Sequence, residues 1–98
     1  MKTLKKSIIG ILEDNKGENI ALMDVKGKSS VTDLMFIVSG RSTRHVKSIA
    51  DNLITKLKKN KMKPIGVEGY SSSEWILVDY GDFLVHVMHP ESRDFYSL

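Results

Sequence analysis

The sequence predicts one α/β domain, spanning residues 1–98, in which helices pack on a mixed five-stranded β-sheet, and three observations predict it. The run "LMFIV" (residues 34–38) is apolar without alternation, as in a strand covered on both sides. It is followed by a long stretch in which Val46, Ile49, Ala50, Leu53, Ile54 and Leu57 recur at helical spacing as one apolar stripe. Two further apolar runs, 75–79 and 83–88, are separated only by Tyr80-Gly81-Asp82, the length and composition of a tight hairpin turn.

Each element follows in order. A first helix is expected over Leu4–Glu13, with Leu4, Ile8, Ile11 and Leu12 on one face and Asp14-Asn15-Lys16-Gly17 ending it. Ile20–Val25 reads as a strand, followed by the polar turn "GKSSVTD" and the strand 34–38. Ser42 or Thr43 supplies the N-cap of a helix running to about Lys59, and Asn60 ends it. Pro64 and Gly66 flank a short strand around Ile65–Glu68. Strand 34–38, helix 43–59 and strand 65–68 then form a βαβ unit, with the right-handed crossover such units adopt. Trp75–Asp79 and Phe83–Met88 complete the sheet as antiparallel neighbours, Gly81 supplying a positive φ at the turn.

Composition removes several function classes. Without cysteine there is no disulfide framework, no thiolate nucleophile and no thiolate metal ligand. A formal net charge of +3 is too mild to mark a protein that binds nucleic acid chiefly by neutralising phosphates. No stretch approaches the roughly 18 apolar residues of a membrane span. The lysines of "MKTLKKSIIGILEDNKG" imitate a signal peptide, but the apolar part is short and acidic residues follow it, so an amphipathic helix in a cytoplasmic protein is expected.

The densest chemistry lies in "EGYSSSEWILVDYGDFLVHVMH", residues 68–89. Asp79, Asp82, His86 and His89 have the donor types of a zinc or manganese site, but side chains alternate along a strand. His86 and His89 therefore point to opposite sides unless the strand ends before Pro90, and carboxylates beside a glycine turn commonly cap it. His86, between Val85 and Val87, reads as a hydrogen-bonded histidine in the core or at an interface rather than a base, since no nucleophile is placed beside it. Ser39, Ser42 and Thr43 are candidate nucleophiles only in type and serve more simply as turn and cap residues. The turn "SGRSTRH" has the form of an anion-binding strand-to-helix loop with Arg41 and Arg44 nearby, without the spacing of a P-loop or dinucleotide fingerprint. The lysine run "KLKKNKMK" (56–63) suits a solvated helix C-terminus, with contact to RNA as its functional alternative. Trp75 shares a strand face with Leu77 and Asp79, opposite Ile76 and Val78. If the latter pair faces the core, the former makes an aromatic, aliphatic and acidic surface patch of the kind found at interface hot spots. The reverse orientation buries Trp75, and alternation is compatible with both.

The blocks "DVKGKSSVTD", "SGRSTRHVKSIAD", "GVEGYSSSEWILVDYGDFLVHV" and "ESRDFYSL" resemble, in order, the signature blocks of the Iojap-like ribosomal silencing factors, a likeness extending from about Gly17 to Leu98. Leu34-Met35 stands where members often have Tyr-Phe, an exchange of apolar types that affects packing, and the family's usual continuation, an acidic residue followed by Leu-Trp, would come after Leu98. The resemblance implies a nucleotidyltransferase-like fold lacking the paired metal-binding aspartates. It also implies a non-enzymatic role without a cofactor, as a translational repressor on the large ribosomal subunit. There the expected partner is ribosomal protein L-fourteen, whose occupation blocks joining of the small subunit when nutrients are scarce. A homodimer of the free protein is implied as well. Carried onto this chain, the partner-binding surface falls on Glu68, Trp75, Leu77, Asp79, Tyr80 and Asp82. The alternative function is a nucleotide-binding enzyme using "SGRST" for a phosphate and Asp79, Asp82 or His86 for a metal.

Overall fold

Seven elements follow one another in the computed structural model, which describes residues 2–27 and 32–91. They are α1 (Lys2–Asp14), β1 (Glu18–Asp24), β2 (Leu34–Ser39), α2 (Thr43–Lys59), β3 (Gly66–Glu68), β4 (Trp75–Asp79) and β5 (Phe83–Met88). Part of the turn "GKSSVTD", residues 28–31, and most of the block "ESRDFYSL", residues 92–98, lie outside the described residues.

Both helices form for the reasons their sequences display. Ile8 and Leu12, one turn apart, are fully buried, as are Val46, Ile49, Ala50, Leu53 and Leu57 of α2. The Ser42 hydroxyl caps α2 by accepting the His45 N–H at 3.1 Å from an extended backbone. Each helix stops in a Schellman turn with a lysine in the left-handed position. At α1 the Lys16 and Gly17 N–H groups bond to the Glu13 and Leu12 carbonyls. At α2 the Lys61 and Met62 N–H groups bond to the Lys58 and Leu57 carbonyls. A Cβ on Gly17 would collide with the Val38 side chain and the Leu12 carbonyl, so the connection into β1 requires glycine.

The strands form one mixed sheet of order β1-β2-β5-β4-β3. β2 and β5 pair in parallel, Leu34 opposite Phe83 through Ser39 opposite Met88, while the β1–β2, β4–β5 and β3–β4 pairings are antiparallel. β1 carries a register shift between Glu18 and Ala21, where Asn19 has φ 51°. The expected βαβ unit forms with two strands between its members. β3 runs in the same direction as β2 but does not lie beside it, because β5 and β4 are inserted between them. Burial explains the order: all six residues of β5 are buried and need neighbours on both edges, whereas Val67 and Glu68 of the three-residue β3 are exposed and suit an edge.

The helices share one face of the sheet. Their buried residues form one cluster with Phe36 and Val38 of β2, Ile76 and Val78 of β4, and Phe83, Val85 and Val87 of β5. Phe36 and Phe83 meet edge to face at 5.9 Å. The other face carries Ile37, Leu84, His86 and Met88 at its centre, all buried.

A candidate docking surface on the outer face of the sheet

Strand register assembles the second face. Ile37 lies opposite His86, His86 opposite Leu77, and Leu77 opposite Glu68, so these four side chains form one row across β2, β5, β4 and β3. Trp75 is two residues along β4 from Leu77, and Asp79 two residues the other way. Ile76 and Val78 are fully buried in the helix-side core, which fixes Trp75, Leu77 and Asp79 outward, each half-buried. Of the two orientations alternation allows, the core selects the one that presents the tryptophan.

Trp75 is held in place. Its indole Nε1–H donates to Nδ1 of His86 at 2.9 Å, and the two rings lie 5.7 Å apart, tilted by 49°. Because Nδ1 accepts, the ring proton of neutral His86 belongs on Nε2. Burial lowers the His86 pKa from its ordinary 6.5, which favours that neutral form. The histidine thus orients an aromatic anchor. Its partner is an indole, which supplies no nucleophile.

The segment between β3 and β4 is tied down from both sides. Gly69 has φ +78°, and a Cβ there would be driven into the Trp75 carbonyl oxygen, so only glycine fits. The Tyr70 hydroxyl donates to Asp51 of α2 at 2.8 Å, and the Lys47 ammonium lies 4.7 Å above the Tyr70 ring. The hydrogen bond to Asp51 raises the Tyr70 pKa. Ser73 donates from its hydroxyl to the Tyr70 carbonyl at 2.8 Å, and the Glu74 carbonyl accepts the His89 N–H at 2.9 Å. An open groove of about 250 Å³ results, lined among the described residues by Glu68, Gly69, Trp75, Leu77 and His86. Its walls are apolar and its rim carries the Glu68 carboxylate.

The remaining residues expected at a partner surface divide. Asp79 accepts the Gly81 N–H through Oδ1 at 2.8 Å, capping the hairpin in which Gly81 has φ +85°. Asp82 is exposed at the hairpin tip, while its carbonyl accepts N–H groups of Asp33 and Leu34. Tyr80 departs from the expected patch. With the parity of Ile76 and Val78, it packs against the helix-side core and stacks on Phe83 at 4.8 Å. Its hydroxyl is buried without a hydrogen-bond partner among the described residues, and burial pushes its pKa up to about 12.

The alternative chemistry finds less to work with. Several N–H groups around the "SGRSTRH" turn are already used: Gly40 donates to the Met88 carbonyl, Arg41 to His45 Nδ1 at 2.8 Å and His45 to Ser42. Arg41 also pairs with Glu18 at 3.6 Å. His89 lies beyond the end of β5, and its Nδ1 accepts the Glu91 N–H at 3.3 Å. Among the described residues no three His, Asp or Glu side chains converge as a metal site would require. Two features were hidden from sequence reasoning: the Trp75–His86 bond and the Tyr70–Asp51 latch. Hairpin register, which sets His86 diagonal to Trp75, is the signal for the first; the second joins residues 19 apart with no pattern between them.

Comparison with known proteins bears on the family and the fold. The family model "Ribosomal silencing factor during starvation" matches residues 1–98. The chain is 43% identical to the ribosomal silencing factor RsfS of Haemophilus influenzae over 97% of its own length and 93% of the relative's. It is 30% identical to the mouse protein named "Mitochondrial assembly of ribosomal large subunit protein 1", over 93% of this chain and 41% of that protein. A crystal structure of a Chromobacterium violaceum protein, 40% identical, superposes with a TM-score of 0.93 over 99% of this chain and 81% of that one. With the whole chain matched in sequence and fold, this protein belongs to the ribosomal silencing factor family.

Proposed function

We propose that this chain represses translation by docking on the large ribosomal subunit through ribosomal protein L-fourteen, where its bulk blocks joining of the small subunit under nutrient limitation. The observation that carries the reading is the outer face of β4. A tryptophan fixed by a buried histidine shares this face with Leu77 and Asp79, while Glu68 lies opposite Leu77 on β3 and Asp82 is exposed at the hairpin tip. Ribosomal proteins are basic, so an acidic rim supplies orientation and on-rate while the apolar anchor supplies affinity. Steric exclusion needs only affinity and volume, so no catalytic step is required. Membership in the silencing family supports the regulatory role, and the name of the mouse relative ties that protein to the large subunit. The same apolar patch serves self-association as a homodimer when the protein is free in the cytoplasm. Tyr80 supports the surface from beneath.

The test is sedimentation of purified large and small subunits with and without the protein. Co-migration with the large subunit and loss of joined particles are expected. Trp75→Ala should weaken binding at least about 30-fold, the effect of losing roughly 2 kcal/mol at a hot spot, while retaining the fold. Undiminished subunit joining, or normal binding by Trp75→Ala, would overturn the mechanism or the surface respectively.

A further inference from the structure

The docking surface leaves one strongly charged region of the molecule unused. Residues 56–63 contain five lysines and no acid, whereas the whole chain carries a formal +3, so the rest of it is net negative by two. Lys56, Lys58, Lys59, Lys61 and Lys63 are all exposed. The Schellman turn holds them together: Lys61 adopts φ 63°, and the Met62 N–H returns to the Leu57 carbonyl at 3.0 Å. Lys61 is thereby held at the end of α2, and Lys63 follows two residues on. Among the described residues none of the five lies within salt-bridge distance of a carboxylate; the ion pair found there joins Arg41 and Glu18.

A helix end does not need this much charge. The macrodipole leaves about half a negative charge at a C-terminus, which one lysine offsets. Five ammonium groups within eight residues of sequence repel one another and lower stability. The cap also adjoins the acidic end of the docking face, because the Ile65 N–H donates to the Asp79 carbonyl at 2.6 Å.

We propose that this lysine cap is a second contact with the large subunit, made to the phosphate backbone of its RNA. The inference rests on the docking reading for its setting, since a ribosomal protein is set in RNA. Lysine ammonium groups act as point charges and suit phosphates without reading sequence. An anionic membrane fits less well: the apolar stripe of α2 is buried in the core, leaving no wedge on the helix beside the lysines.

The experiment compares wild type with the triple variant Lys58→Gln, Lys59→Gln, Lys61→Gln. Affinity is measured for purified large subunits, for protein-free large-subunit RNA and for phosphatidylserine vesicles, over about 50 to 200 mM salt. The variant should bind subunits at least about tenfold more weakly at low salt, with a log–log salt slope shallower by about 2, since each phosphate contact contributes about 0.7 to 0.9. Protein-free RNA should bind wild type and lose the variant in parallel. Thermal stability should be unchanged or raised, whereas a purely structural role would lower it. An unchanged slope, no binding of wild type to protein-free RNA, or binding to vesicles in place of RNA would each overturn the proposal. Trp75→Ala separates the two readings: it should lose affinity for subunits while keeping the wild-type slope. Normal affinity of that variant would reject the docking surface and leave the lysine contact standing on its own slope.

Discussion

On the helix side of the sheet, Phe36, Val38, Ile76, Val78, Val85 and Val87 are fully buried against α1 and α2. On the opposite side the alternate residues of the same strands end in a different surface. Ile37 and Met88 are as deeply buried as anything in the core, yet Trp75, Leu77 and Asp79 are half-exposed and Glu68 is exposed. The inner face is apolar and maximises burial, worth about 1.5–3 kcal/mol for each large side chain. The outer face places a buried histidine under a tryptophan and gives up some of that burial to hold an indole in a fixed orientation. A strand with period-two alternation can serve both ends at once, because successive side chains point to opposite faces.

Leu53→Ala attacks the inner face alone. Removing a fully buried side chain beneath the sheet is expected to cost about 2–5 kcal/mol, read by urea unfolding, while the folded fraction binds large subunits as tightly as wild type. Weaker binding per folded molecule would show that the two faces are not independent. Gly69→Ala attacks the outer face through its backbone. The left-handed conformation costs a side chain about 1–2 kcal/mol, and the clash with the Trp75 carbonyl must displace the loop. Since Trp75 is the only tryptophan, its fluorescence reports the displacement directly, and an unaltered spectrum with unaltered binding would remove Gly69 from the account.

The smallest expected effect is acid sensitivity from His86. Burial lowers its folded pKa below 6.5, so above 6.5 the group is neutral in both states and its contribution is complete. As the pH falls through 6.5 the unfolded chain takes up the proton first, and stability drops until the folded pKa is passed. Protonation at Nδ1 also turns the acceptor of the Trp75 bond into a donor. Urea midpoints above and below pH 6.5 should therefore diverge in wild type and converge in His86→Leu; equal divergence in the two would assign the effect to another group.

Much of this organisation was legible in local pattern. The bounds of α2, β4 and β5 follow from a 3.6-residue stripe with a serine cap and from two apolar runs around a glycine turn. The same pattern placed Trp75, Leu77 and Asp79 on one side of a strand, and likeness to a family singled out that side as a binding surface. Tyr80 shows the limit of such reasoning: adjacent in sequence to Asp79, it has the opposite parity and stacks on Phe83 beneath the sheet.

Periodicity and capping act between residues a few positions apart, so the chain alone sets which residues lie on a common face and where each element stops. It does not set which face turns inward, which strand stands beside which, or what a buried polar group finds as a partner. Those depend on competition among whole elements for the interior. β5 is buried throughout and takes the place beside β2, which leaves the exposed β3 at the edge of the sheet. Ile76 and Val78 enter the core and turn Trp75 outward, and only in that arrangement does the indole reach His86.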